Sequence, residues 1–281
     1  MESFRTADGR ALTYRREGSG RTLVCHPGGP GFSSRYFGDL AGLGKHFELV
    51  LLNPRGTEGS DRPTDPRAYR TEDYVSDLDE LRAHLGLDRM LLLGHSHGGV
   101  VAQAYAARHP ARVEKLVLAS TLTRFAAEHE AAMEAAMQAK SGEPWFEDAA
   151  EAIGYELEGR YDTDAELAEL ALREFPLYFT RFGEPEQAYL DILRGEVPVG
   201  DALRLFNESF RTFDQRDVLP AIAAPTLVIT GEDDFITGPI CALDFASIPK
   251  GRTVLLPECG HFIFVEAPDR FRDEVTAFLS A

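Results

Sequence analysis

In the stretch Leu-Leu-Leu-Gly-His-Ser-His-Gly-Gly-Val-Val, residues 91–101, Ser96 lies between two histidines and is bracketed by Gly94 and Gly98. A serine hydroxyl attacks a carbonyl when a base within hydrogen-bond reach takes its proton, and histidine is the usual base. G-x-S-x-G with an apolar strand before it and a helix after it is the nucleophile elbow, a turn where a Cβ at either glycine would clash. That geometry disfavours both adjacent imidazoles as the base. Successive strand side chains point to opposite faces, and a sharp turn splays them further. The useful group beside Ser96 is the backbone N–H of His97, which opens the helix and can donate to an oxyanion. The His97 imidazole is expected to pack in the pocket wall.

The base must come from elsewhere. His46, His84, His109 and His129 lie on polar segments and are expected at the surface. His26 ends one apolar run and opens His-Pro-Gly-Gly-Pro-Gly (26–31), where it is expected to fix a turn. His261 follows the run Thr-Val-Leu-Leu-Pro-Glu (253–258) on a glycine-containing loop that leads to the last helix, and it is the expected base. In the chain order nucleophile, acid, base, the orienting carboxylate falls on the loop after the run 225–231, which carries Glu232, Asp233 and Asp234. The loop after the preceding run, Ser120-Thr121-Leu122, offers no carboxylate. The second oxyanion donor is expected from Gly28 or Gly29, because glycine lets the backbone approach a carbonyl closely.

These groups must be held by a framework, and the chain supplies one. Short continuous apolar runs at 22–26, 47–53, 90–94, 113–120, 225–231 and 253–258 look like buried parallel strands. Helical patterns at 71–87, with Thr71 as its cap, and at 98–110 alternate with the early ones, so a mainly parallel sheet covered on both faces is expected. The N-terminal segment reads as two short strands around Asp8-Gly9. From about 122 the alternation stops, and four helical patterns follow with no strand among them. The expected division is therefore an α/β core of residues 1–121 and 216–281 with a helical cap of residues 122–215 over the sheet edge.

The net charge of −17 argues against nucleic acid as a partner. Residues 122–215 hold 21 acidic against 8 basic side chains, while residues 1–121 are nearly balanced, with 15 against 16. An acidic cover of that kind is either a set of solvated helix faces or a field that favours a cationic substrate. No apolar run approaches the ~20 residues of a spanning helix, and the N-terminus has no apolar leader core, so no membrane association and a cytoplasmic location are expected. Cys25, Cys241 and Cys259 are too few and too scattered for a disulfide framework or a zinc site.

Together these residues resemble the α/β-hydrolase superfamily, and within it the proline iminopeptidase (prolyl aminopeptidase) group. His-Pro-Gly-Gly-Pro-Gly is similar to that group's HGGPG loop, Asn53-Pro54-Arg55-Gly56 and its continuation to its R-G segment, and Gly94 to Gly99 to its elbow. Gly-Glu-Asp-Asp-Phe-Ile-Thr-Gly-Pro (231–239) is similar to its acid loop, and Gly-His-Phe-Ile-Phe-Val-Glu-Ala-Pro (260–268) to its base loop. The match covers about 1–120 and 216–281 and departs at the extra Pro27, at Asn53-Pro54 and at His97. The resemblance implies an α/β-hydrolase fold with a Ser96–His261–Asp234 triad, Asp233 being the alternative acid, and no metal or organic cofactor. It implies release of an N-terminal residue, possibly proline, from a short peptide or amide. The alternatives are an ester, lactone or carbon–carbon bond in a small metabolite, or a ligand receptor on a hydrolase fold. The partner is a small molecule or short peptide, with no oligomeric state implied. The group binds a free amine with cap carboxylates, and Glu208, among Phe206, Phe210 and Phe213, is the candidate here.

Overall fold

Successive apolar residues of the central strands point to opposite faces, so each strand feeds two hydrophobic layers. In the computed structural model, which describes all residues from Met1 to Ala281, one sheet holds eight strands. They are β1 (Glu2–Arg5), β2 (Ala11–Gly18), β3 (Thr22–His26), β4 (Glu48–Leu52), β5 (Met90–His95), β6 (Val113–Ala119), β7 (Thr226–Gly231) and β8 (Gly251–Leu256). The spatial order is β1-β2-β4-β3-β5-β6-β7-β8. Only β2 runs against the others; the five pairs from β4 to β8 are parallel. The expected hairpin is present, closed by Thr6 N–H to Arg10 O and Gly9 N–H to Thr6 O. The last predicted run sits two residues early, at Gly251–Leu256.

Ten helices complete the chain: α1 (Thr71–His84), α2 (His97–Arg108), α3 (Ala127–Gln138), α4 (Phe146–Leu157), α5 (Asp164–Glu174), α6 (Glu184–Leu193), α7 (Gly200–Phe210), α8 (Pro239–Leu243), α9 (Ile263–Glu266) and α10 (Pro268–Ser280). One sheet face packs Leu23, Leu49, Leu91 and Leu93 against Phe271, Val275 and Leu279 of α10. The other packs Val24, Val50, Leu92 and Leu118 against Leu78 and Leu81 of α1 and Val101 and Tyr105 of α2. Thr71 is the first residue of α1 rather than its cap; the Asp73 carboxylate accepts the Arg70 N–H at 2.9 Å instead.

Helices α3 to α7 all lie between β6 and β7, two strands that pair directly. The chain leaves and returns side by side. Phe125 N–H donates to Phe213 O, and Gln215 N–H to Thr123 O. Three backbone bonds or caps fasten this insertion above the sheet's carboxyl edge. Val199 N–H donates to Gly31 O, His261 N–H to Tyr178 O, and Thr180 N–H to the Glu266 carboxylate. No helix is long and apolar enough to cross a membrane. No group of three or more His, Cys, Asp or Glu is arranged to hold a metal ion.

Candidate active site

β5 delivers Ser96 to the carboxyl edge of the sheet at the switch point where the chain, having built β4 on one side of β3, crosses to the other; ligand crevices of α/β sheets lie there. Ser96 has φ 54° and ψ −124°, the left-handed half of the map that a side chain rarely occupies. The turn is held by Ser96 N–H to Ala119 O at 3.0 Å and by the Thr121 hydroxyl on Ser96 O at 2.7 Å. The flanking glycines are demanded by space. A Cβ on Gly94 would stand 2.2 Å from Gly98 O, and one on Gly98 would stand 2.2 Å from His26 O.

His261 is brought to the same cavity by the loop after β8, and its Nδ1 lies 2.8 Å from Asp234 Oδ2. Asp234 is buried while Glu232 and Asp233 are exposed, so only Asp234 can orient the imidazole. Its other oxygen accepts the N–H groups of Ile236 (3.0 Å) and Thr237 (2.9 Å), and the Thr237 hydroxyl donates to Oδ2 at 2.5 Å. Burial would raise the Asp234 carboxyl; the His261 charge and these donors outweigh it and bring it down to about 2. With Nδ1 facing a carboxylate, Nε2 is the nitrogen left for chemistry. Ser96 Oγ and His261 line the same cavity without a hydrogen bond between them, and such contacts often tighten only around substrate.

Around the serine, the two glycines of the 26–31 loop differ. Gly28 N–H is buried and donates to the Tyr36 hydroxyl at 2.6 Å. Gly29 is half-buried in the cavity lining, and its N–H is free of any protein acceptor, as is that of His97. His95 points away from Ser96: Nδ1 is 2.8 Å from the Tyr36 hydroxyl and Nε2 is 3.1 Å from His261 O. The His97 ring packs edge-on between Tyr74 and Phe206, and burial lowers its pKa to about 3. His26 turns Nδ1 to Pro27 O at 2.8 Å, as a turn-fixing residue would. His129 is a correction to the surface expectation: it is buried on α3, with Nε2 2.9 Å from Asp244 Oδ2.

The cavity encloses about 740 Å³ of space, part of it open to solvent, and is walled by Phe32, Phe175, Tyr178, Phe206, Phe210 and Phe262. Glu208 is not in it. Phe206 and Phe210 share one side of α7, and Glu208, two residues on from Phe206, is exposed on the other. Two other glutamates line the cavity instead: Glu156 near the end of α4 and Glu174 at the end of α5. Both are buried, neither has a cationic partner, and Glu174 Oε2 has no hydrogen-bond partner at all. Burial, then repulsion from Glu156, pushes Glu174 well above the ordinary carboxylate range; burial also raises Glu156. The sequence does carry a signal for them. Leu167, Leu170, Ala171 and Glu174 form one buried stripe, and Ala149, Ala152, Ile153 and Glu156 another, so each glutamate occupies a position that helical periodicity assigns to the apolar face.

A family model of the alpha/beta hydrolase fold matches residues 21–268. A proline iminopeptidase of Levilactobacillus brevis is 29% identical over 92% of this chain and 88% of its own. A proline iminopeptidase of Pestalotiopsis fici is 29% identical over 96% of both. Among solved structures, an enol-lactonase of Burkholderia xenovorans superposes with a TM-score of 0.76 at 25% identity, covering 100% of both chains. Elbow, sheet order and family match agree, and the chain belongs to the alpha/beta hydrolase fold family.

Proposed function

We propose that the protein is a serine hydrolase that releases an N-terminal residue, with proline a leading candidate, from short peptides or amides. Ser96 Oγ adds to the carbonyl carbon as its proton passes to His261 Nε2. The oxyanion accepts from the N–H groups of His97 and Gly29, the latter chosen over Gly28 because Tyr36 already occupies the Gly28 donor. The imidazolium, held opposite Asp234, returns the proton to the departing amine. Water then attacks the acyl-enzyme with His261 as base, and Ser96 is restored.

The observation that carries the substrate class is the buried pair Glu156 and Glu174 in the cavity wall. Two buried carboxyl groups with no cation beside them shed charge by holding a proton, and a positive ligand is what would favour their charged form. A substrate ammonium is such a ligand, and a charge-assisted hydrogen bond to it is worth about 1.5–3 kcal/mol. A panel of aminoacyl anilides, their N-acetylated forms and simple esters tests the reading. Ser96→Ala should lose turnover on all of them. Glu174→Gln should raise KM for free-amine substrates by about tenfold or more and spare the blocked ones. Preference of the wild type for blocked amines would refute the peptidase reading.

The similarity to an enol-lactonase, with the aromatic lining, supports a second reading: hydrolysis of an ester or lactone of a small metabolite by the same residues. In that case esters outrun anilides in the panel and Glu174→Gln leaves the order of substrates unchanged.

A further inference from the structure

Two buried residues that take no part in the mechanism above join the loops that do. Tyr36 stands in the short helical turn Ser34–Phe37 after the glycine loop, and His95 is the last residue of β5. Gly28 N–H donates to the Tyr36 hydroxyl oxygen at 2.6 Å, that hydroxyl lies 2.8 Å from His95 Nδ1, and His95 Nε2 lies 3.1 Å from His261 O. The direction of the chain is fixed by its proton count. His261 O can only accept, so the neutral imidazole carries its proton on Nε2 and its Nδ1 is an acceptor; the Tyr36 hydroxyl therefore donates to Nδ1 while its oxygen accepts from Gly28. Every donor meets one acceptor.

We propose that Tyr36 and His95 are positioning residues, a directional hydrogen-bond relay that holds the glycine loop and the base loop at fixed separation around Ser96 and leaves Gly29 N–H as the oxyanion donor. The inference rests on the reading of Ser96 and His261 as nucleophile and base. Burial supports it. Tyr36 is 4% exposed and His95 1%, so each break leaves a largely buried polar group short of its partner. Burial also keeps His95 neutral, its pKa lowered to about 3, which preserves the acceptor at Nδ1. The relay explains a histidine directly before the nucleophile that does not touch it. Its ring supplies the hydrogen-bonded link between two segments whose rings also pack together, Tyr36 against Phe262.

The relay can be cut at either end. Tyr36→Phe removes the hydroxyl with little change of shape. His95→Gln keeps an amide N–H where Nε2 stood, facing His261 O, and gives up the Tyr36 contact. His95→Asn keeps an acceptor where Nδ1 stood and gives up His261. The readouts are the rate of Ser96 labelling by a fluorophosphonate, which does not depend on the natural substrate, and kcat and KM on the best panel substrate. Tyr36→Phe and His95→Gln should each slow labelling and kcat by roughly 10- to 100-fold, with KM within about threefold. The double variant should be no slower than the slower single one, because both break the same Tyr36–His95 bond. His95→Asn should be slowed as well, through the base loop. Labelling at the wild-type rate in Tyr36→Phe, or single effects that multiply in the double variant, would overturn the relay. Should the His95 variants not fold, Tyr36→Phe alone decides. Labelling that persists in Ser96→Ala would instead remove the catalytic reading on which the relay rests, an outcome visible before any relay variant is made.

Discussion

Glu174 sets the opposing demands of folding and function in one side chain. Burial and the neighbouring Glu156 raise its pKa well above the ordinary value, so the folded protein holds a proton there that the unfolded chain releases more readily. A carboxyl raised in the folded state supports folding below its unfolded pKa, and that support is lost as pH rises toward the folded value. Glu174→Gln has no such dependence. The variant should therefore gain thermal stability over the wild type, little at pH 4 and progressively more toward pH 8, while losing its preference for free amines. Melting curves across that range check it, and a stability difference that stays flat or shrinks with pH would count against the buried acid pair. Asp234 shows the opposite balance, since the charge of His261 and its hydrogen-bond donors outweigh burial. Residues of this kind were unequally legible in the sequence. Ser96, His261 and the acid loop stand at fixed places in strand–turn–helix grammar, so type and order locate them. Glu156 and Glu174 come from two helices, and only the fold brings them together. Glu208 lies beside Phe206 and Phe210 in sequence, yet helical periodicity puts it on the opposite, exposed face of α7.

At the scale of elements, the elbow depends on how closely α2 approaches the glycine loop. A Cβ on Gly98 would lie 2.2 Å from His26 O and 2.5 Å from Pro27 O, both backbone atoms that cannot move independently. Gly98→Ala should destabilise the fold by about 1–3 kcal/mol and lower kcat by pushing the helix N-terminus off the oxyanion. Gly154, inside α4, is the matched control: a Cβ there meets nothing within 4 Å, so Gly154→Ala should stabilise by about 0.5–1 kcal/mol. Chemical denaturation of both variants decides, and equal effects would mean that space at Gly98 is not what requires glycine. The strands were readable because both faces of the sheet are buried, which leaves continuous apolar runs. α6 was not. Its buried residues Tyr189, Leu190 and Leu193 crowd toward the C-terminal half, and Pro185 reads as a breaker although the first turn tolerates proline. The pairing that closes the insertion, Phe125 with Phe213, is likewise invisible locally, since long-range partners leave no mark in either segment.

For the whole molecule, charge is divided as unevenly as the fold. The inserted segment 122–215 carries 21 acidic and 8 basic side chains and supplies part of the cavity lining; residues 1–121 are close to neutral. Composition gave this asymmetry at once, but not its meaning, because a solvated acidic surface and an electrostatic guide have the same residue counts. The two differ in what salt does. A field from surface charges extends about 10 Å at 0.1 M ionic strength and shrinks as salt is added, whereas the buried pair Glu156 and Glu174 is screened far less. A guide acts on encounter with a cationic substrate and so enters kcat/KM. For free-amine substrates kcat/KM should fall several-fold as ionic strength rises from about 0.02 M to 0.5 M, while kcat holds. N-acetylated substrates and esters, which carry no positive charge, should show little change over the same range. In Glu174→Gln the salt dependence for free amines should persist at a lower absolute value, since the guiding charges lie outside the pocket. Parallel curves for charged and neutral substrates would show that the acidic surface serves solubility alone, and loss of the dependence in Glu174→Gln would locate the whole effect inside the cavity.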